Sequence, residues 1–299
     1  MAEIRDFLDP IAVARLDSLE IVAHTLVEGF LKGLHFSPTK GSSTEFAEHR
    51  PYVPGDEVRR VDWRAFGKTD RFYLKEYEDE TNVRGTLFVD SSASMGFQSG
   101  KVSKLRYAVC LAAATGHLLL GQRDAVGLAL GGSTLKKYIP PKATPQHLRG
   151  IFSTLSDVRA GGETHLADSI RRMAARLHSR SLAVIISDFL DDPREVIASV
   201  AHLRHLHSDA ILFHVLDPAE RQFPFNNWTV FRDSEDPSAS LRVDARQIRE
   251  IYKENLDEHI EILSKGCAAL GVDYSLIDTR QPFEVALSAY LDARARRTT

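Results

Sequence analysis

With 299 residues, 43% of them hydrophobic, 26% charged and 8% aromatic, the chain has the profile of a folded globular protein, not of a disordered or fibrous one. Its 38 Lys and Arg against 41 Asp and Glu leave a formal net charge of −3, which disfavours bulk attraction to nucleic acid or to an anionic membrane. Two cysteines, Cys110 and Cys267, are too few for a disulfide scaffold and read as buried packing residues in a reducing compartment. The start, Met1 to Asp6, lacks the basic and apolar runs of a signal peptide, and the longest nearly apolar stretch, 107–120, falls short of the roughly 20 residues that span a bilayer. The expectation is a cytoplasmic protein with no membrane span.

Taken in chain order, the pattern predicts an amphipathic helix over 10–32, with Asp9 as N-cap and Pro10 in the first turn. From 33 to 81 the sequence turns irregular, with a turn signal at 52–56 and a short strand over 71–75. Residues 1–81 read as an N-terminal extension and 82–299 as the main domain. In the latter, strands at 84–89, 125–130, 136–139, 182–187, 210–216 and 273–277 alternate with helices at 101–120, 145–155, 165–177, 193–206, 245–270 and 282–295. Such alternation implies right-handed βαβ units and a mostly parallel sheet covered on both faces. Only residues 131–134 separate the second and third strands, too few for a crossover, so the third is expected as an antiparallel edge strand made by a hairpin. Strand-like runs at 228–231 and 241–243 around an acidic turn predict a surface hairpin inserted near 218–244.

The first strand of this alternation ends in Asp90-Ser91-Ser92-Ala93-Ser94, at the strand end where open α/β sheets bind ligands. A carboxylate and two hydroxyls on alternate residues can converge on a hard cation, which prefers oxygen. Thr164, opening a later helix after Gly161-Gly162-Glu163, and Asp188, closing the fourth strand, add oxygens from two further segments. Read singly, each of these residues is more simply a local cap or turn former; together and in this order they point to one metal site. His202, His205 and His207 lie near a helix end, where dipole stabilisation explains them better than a metal. The Arg and Lys between 59 and 71 are interleaved with Asp56, Glu57, Asp62 and Asp70, which favours a salt-linked surface or a partner contact over a phosphate patch. Trp63, Phe66, Phe72 and Tyr73 read as anchors of the extension.

Asp90, Ser92, Ser94, Thr164 and Asp188 together resemble the metal-ion-dependent adhesion site of the von Willebrand factor A domain. That resemblance implies a doubly wound α/β fold in which the first and fourth strands are neighbours, with Asp90 and Asp188 on either side of one crevice. A more extensive resemblance rests on Gly41-Ser42-Ser43-Thr44-Glu45-Phe46, on Arg50, Tyr52, Pro54, Gly55 and Asp56, on Arg59, Asp62, Trp63 and Arg64, and on Lys75-Glu76-Tyr77-Glu78. The C-terminal stretches 231–252, 271–274 and 290–291 join it. These are similar to a bacterial domain-of-unknown-function family (DUF fifty-eight), typically encoded beside MoxR-type AAA+ ATPases. The resemblance implies Mg²⁺, or Mn²⁺ or Ca²⁺, at those five residues and a non-catalytic protein-binding scaffold or co-chaperone. It would work with a MoxR-type ATPase on a client protein, a partner carboxylate completing the metal sphere.

The sequence has no Gly-x-x-x-x-Gly-Lys-Ser/Thr, Gly-x-Gly-x-x-Gly or Gly-x-Ser-x-Gly motif, so the chain is not itself the ATPase. The alternative is a Mg²⁺-dependent hydrolase or phosphoryl-transfer enzyme using Asp90 and Asp188. It needs a base or positioned nucleophile, for which Glu163, His165 and Asp191 are the neighbours in sequence.

Overall fold

The structure, a computed structural model, describes residues 9–35, 50–51, 73–74, 83–132, 134–236 and 238–298. The chain divides into two compact units, one of residues 1–35 with 83–299 and one of residues 36–82. Within the second, Arg50–Pro51 (β1) pairs antiparallel with Tyr73–Leu74 (β2), inside the run expected as a strand. The rest of the 41–78 motifs, with the expected anchors Trp63, Phe66 and Phe72, lies outside the described residues.

The larger unit is built on six strands: Arg84–Asp90 (β3), Ala125–Gly131 (β4), Lys137–Lys142 (β5), Ser181–Ser187 (β6), Asp209–Leu216 (β7) and Asp273–Asp278 (β10). Their order is β10-β7-β6-β3-β4-β5, parallel except for β5, which pairs antiparallel with β4. The two strands are separated by five residues, 132–136, too few for a crossover, so they pair as a hairpin. The sheet is the von Willebrand A-like arrangement, with β3 and β6 adjacent at its centre. Both are buried along nearly their whole length, which is why they read as continuous apolar runs and not as alternating ones.

Side-chain alternation sends Leu87 and Val89 into one core layer and Phe88 into the other. The first layer holds Lys104–Gly121 (α3), whose run Ala112-Ala113-Ala114 is buried along with residues on every other face. Such a helix must be covered on its outer side. Leu19–His35 (α2) covers it with Val22, Ala23, Leu26, Val27 and Phe30, so these N-terminal helical residues share the sheet's core. The single helix expected over 10–32 is interrupted: Pro10–Ala14 (α1) stops, and Ser18 accepts the Ile21 N–H to begin α2. Pro145–Ser156 (α4) and Phe283–Thr298 (α9) complete this side.

Leu166–Ala174 (α5), Pro193–His205 (α6) and Ala245–Ala269 (α8) cover the other face. His202 and His205 lie in the last turn of α6. The expected hairpin is present as Trp228–Arg232 (β8) and Ser240–Asp244 (β9). It is preceded by a short helix the sequence reading omits, Pro218–Gln222 (α7), whose Asp217 and Glu220 form a capping box. Cys110 and Cys267 are free and buried. Among the described residues no helix is long and apolar enough to cross a membrane.

Candidate metal centre

Parallel pairing of β3 with β6 sets Val89 opposite Ile186, so Asp90 and the Ser187–Asp188 pair leave the sheet side by side. Both carboxylates are fully buried. Asp90 Oδ1 accepts the Ser92 N–H at 2.9 Å and Oδ2 accepts the Ser187 hydroxyl at 2.6 Å. Of the Ser187–Asp188 pair it is therefore Ser187 that hydrogen-bonds to Asp90, and its Oγ in turn accepts the Phe189 N–H at 2.9 Å. The Ser92 and Ser94 hydroxyls lie 3.1 Å apart.

Backbone hydrogen bonds bring the Thr164 segment against this loop. Gly161 N–H donates to the Ser91 carbonyl at 3.0 Å, and Ala93 N–H to the Gly162 carbonyl at 3.0 Å. Gly162 has φ of 87°, a left-handed conformation that glycine adopts without strain. Gly131 clears the other side: a Cβ there would lie 2.1 Å from the Phe88 ring, while its carbonyl accepts the Ser91 N–H and hydroxyl. Lys136 Nζ clamps the two loops, reaching the Ser91 carbonyl, the Ser91 hydroxyl and the Gly161 carbonyl at 2.9–3.2 Å. Within this arrangement the Thr164 hydroxyl is buried and has no hydrogen-bond partner among the described residues. Such groups are uncommon because an unpaired buried hydroxyl costs about 1–3 kcal/mol.

The two carboxylates have different electrostatic surroundings. Burial, reinforced by the charge of Asp188, pushes Asp90 up to about 6 despite the stabilising Ser187 and Ser92 bonds. Asp188 instead has a cation on it: Lys104 Nζ lies 2.8 Å from its Oδ2, and both side chains are 0% exposed. The same ammonium sits 2.5 Å from Glu220 Oε1. Burial works against the charged Lys104, yet the two carboxylates hold its pKa above the ordinary lysine range. Neither Lys104 nor Glu220 was identified from the sequence. The signal for Lys104 was its helical face, since Tyr107 and Ala108, three and four residues on, are both core residues. For Glu220 it was the Asp217-Pro218-Ala219-Glu220 capping pattern.

Asp188 is followed by Phe189 at φ of 50°, an uncommon conformation for a bulky residue. It is held by burial of its ring and by His259 Nε2–H, which donates to its carbonyl at 2.9 Å. Beneath lies His214, whose Nδ1 is 2.6 Å from the Tyr274 hydroxyl; burial lowers its pKa to about 3 and keeps the ring neutral.

As a donor set the rim offers hydroxyls and carboxylate oxygens, the chemistry of Mg²⁺, Mn²⁺ or Ca²⁺ and not of a soft metal. Asp90, Ser92 and Ser94 are gathered by hydrogen bonds, Thr164 stands on the loop zipped to theirs with its oxygen unspent, and Asp188 faces them with its charge shared with Lys104. The residues fit a hard cation. Of the neighbours considered as a base, Glu163 and His165 are 72% and 59% exposed and face each other at 3.7 Å. Asp191 accepts the backbone N–H groups of Ala167 and Asp192.

Residues 48–262 match the family described as protein of unknown function DUF58. Uncharacterized proteins of Mycobacterium tuberculosis and Mycobacterium bovis are 31% identical over 238 residues, covering 77% of this chain and 73% of theirs. Among solved structures, BatB, a conserved hypothetical protein from Bacteroides thetaiotaomicron, shares the fold at a TM-score of 0.50 and 15% identity, over 72% of this chain and 99% of that one. The VWA domain of SpRpn10 aligns at 0.42 and 11% identity, over 69% and 94%.

Proposed function

The chain belongs to the DUF58 family, and from that premise we propose that it is a protein-interaction scaffold whose binding rim is completed by a divalent cation. The cation, Mg²⁺ or Mn²⁺ or Ca²⁺, is held by the Ser92, Ser94 and Thr164 hydroxyls, with Asp90 and Asp188 acting directly or through water. The observation that carries the reading is the buried, unpartnered Thr164 hydroxyl on a loop pinned to the Ser92–Ser94 loop. A cation ligand accounts for an orphan oxygen that internal hydrogen bonding leaves unsatisfied.

Lys104 bears on how strong the site is. By sharing its charge between Asp188 and Glu220, it leaves Asp90 as the carboxylate of this pair without a cationic partner among the described residues. A dication ligated mainly by neutral hydroxyls keeps much of its positive charge and draws a carboxylate from a partner into its open position. That partner, following the family resemblance, is a MoxR-type AAA+ ATPase or the client it remodels, and the chain's role is non-catalytic.

Calorimetry with Mg²⁺ and Mn²⁺ tests the cation: uptake is expected in wild type and lost in Asp90→Ala, and equal uptake by the two proteins would move the site elsewhere. Surface plasmon resonance with the cognate MoxR-type ATPase across a Mg²⁺ titration tests the bridge. Affinity should weaken with EDTA and with Ser92→Ala, and indifference to both would reject a metal-mediated contact.

A further inference from the structure

The β8–β9 hairpin builds a second feature beside the rim. Its inward face carries Phe231 and Leu241, paired across the ladder. Against it stands Phe223, which follows α7 at φ of 47°, stacks on Phe231 at 5.6 Å and lies tilted against Tyr252 of α8 at 4.6 Å. With Phe97 and Ile248 these residues line a cleft of about 300 Å³. Most of it is apolar. Glu220 also lines it, but its carboxylate is spent: Oε1 holds Lys104 and Oε2 accepts the Asp217 N–H at 2.7 Å. Phe97 and Leu241 remain 38% and 60% exposed, and exposed apolar surface in a concave setting marks an interaction site.

Two properties define the occupant. The volume is at the bottom of the ~300–1,000 Å³ range of small-molecule sites, and Glu220 keeps no oxygen free of a partner with which to orient a polar cofactor. A single bulky apolar side chain fits these conditions. The cleft also lies beside the candidate cation rim, with the buried Lys104 between them. Phe97 lies three residues beyond Ser94, with its ring centroid 5.9 Å from Lys104 Nζ. Lys104 is bonded on one side to Asp188 of the rim and on the other to Glu220 of the cleft wall. The loop between Phe97 and Lys104 is tied to α7 as well, through Ser99 N–H and hydroxyl to the Asp217 carboxylate.

We propose that the cleft receives one aromatic or large aliphatic side chain from the same partner segment whose carboxylate reaches the rim. The ligand is thus a short acidic–apolar peptide motif. Its acidic half rests on the cation reading above; its apolar half rests on the cleft. Residues two apart on an extended segment lie about 7 Å apart on one side, and residues four apart on a helix about 5–6 Å, so one short segment can span both features. The apolar lining of the cleft admits the apolar residue and not the acidic one, which gives the motif its polarity.

Selection of displayed random heptapeptides on the full chain in Mg²⁺ buffer, followed by calorimetry on the recovered peptides, provides the test. Recovered peptides should carry Asp or Glu two to four positions from Phe, Tyr, Trp, Leu or Ile. Leu241→Lys, which charges the cleft, and Leu241→Trp, which fills it, should each weaken binding at least tenfold with Mg²⁺ uptake and circular dichroism unchanged. Replacing the peptide's apolar residue by Ala should cost as much in wild type and little more in Leu241→Lys. Recovery of acid-only peptides, recovery of none, or indifference to both Leu241 substitutions would overturn the proposal. So would a dimer that dissociates on Leu241→Lys, since the occupant would then be a second copy of the chain. Binding that keeps its Leu241 dependence but ignores EDTA and Ser92→Ala retains the apolar subsite and rejects the cation bridge.

Discussion

Asp90 and Asp188 come off neighbouring parallel strands, are equally buried, and differ in what neutralises them. Asp188 has the Lys104 ammonium against it, with Glu220 on the far side of that ammonium. Asp90 is met by a backbone N–H and a serine hydroxyl, and burial raises its pKa. The difference shows that a strand-end carboxylate acquires its role from the helix that passes over it. Where α3 delivers a lysine, the aspartate becomes part of an internal ion cluster; where it does not, the aspartate has only neutral hydrogen-bond donors against it among the described residues.

The largest way to break this contrast is Lys104→Met. It strands two carboxylates beside one another, one fully and one mostly buried, and should cost about 3–5 kcal/mol, read as a fall in urea midpoint. A loss below about 1 kcal/mol would mean that Asp188 does not depend on Lys104.

Asp90→Asn acts in the opposite direction. It removes a desolvated charge while keeping the side chain's shape, and the rise from 3.8 to about 6 corresponds to a gain of up to about 3 kcal/mol at neutral pH. Metal-free thermal unfolding in EDTA should move upward while calorimetric Mg²⁺ uptake disappears. Lower stability in EDTA would show that the Asp90 charge is already compensated within the fold.

Acid sharpens the comparison, because two groups pull in opposite directions. The folded pKa of Asp90 is raised, so the folded state takes up its proton first and gains stability as pH falls through about 6. The folded pKa of His214 is depressed from 6.5 to about 3, so its contribution is present above 6.5 and is lost as pH falls toward 3. In His214→Leu that acid penalty is absent. Between pH 7 and pH 5 the stability difference should shift by about 2 kcal/mol in the variant's favour, whatever its offset at pH 7 from losing the Tyr274 contact. A difference that is flat with pH would mean that the His214 ring protonates in the fold as readily as in the unfolded chain.

The smallest effect is expected at Thr164. Thr164→Val removes the unpartnered hydroxyl, so metal-free stability should hold or rise by about 1 kcal/mol while Mg²⁺ affinity falls. A clear loss of stability in EDTA would assign the hydroxyl a structural partner and remove the observation on which the cation reading rests.

Much of this architecture is written in local patterns. The apolar runs of β3, β6 and β7 match two-sided burial, the short 131–134 link forces the antiparallel edge, and the inserted hairpin is announced by its flanking strand-like runs. Asp90, Ser92 and Ser94 are legible because they fall two residues apart at a strand end, and Thr164 because it stands between paired glycines and the start of a helix, two residues before Leu166. The interruption between α1 and α2 is hidden in the sequence because the apolar spacing continues through it, although Ser18 is a capping residue.

What the sequence determined by itself is the class of fold and the inventory of candidate oxygen ligands, since both follow from periodicity and from residue type at element ends. Which of those oxygens touch, and which are neutralised, was decided by tertiary structure. Ser187 reaches Asp90 because strand pairing turns it there. Lys104 is an internal counter-ion because the first turn of α3 is set against Asp188 at the end of β6 and beside Phe97, and Glu220 meets it from 116 residues away. Charge compensation in a buried cluster depends on distances of a few ångströms between segments remote in the chain, and no local pattern encodes those distances.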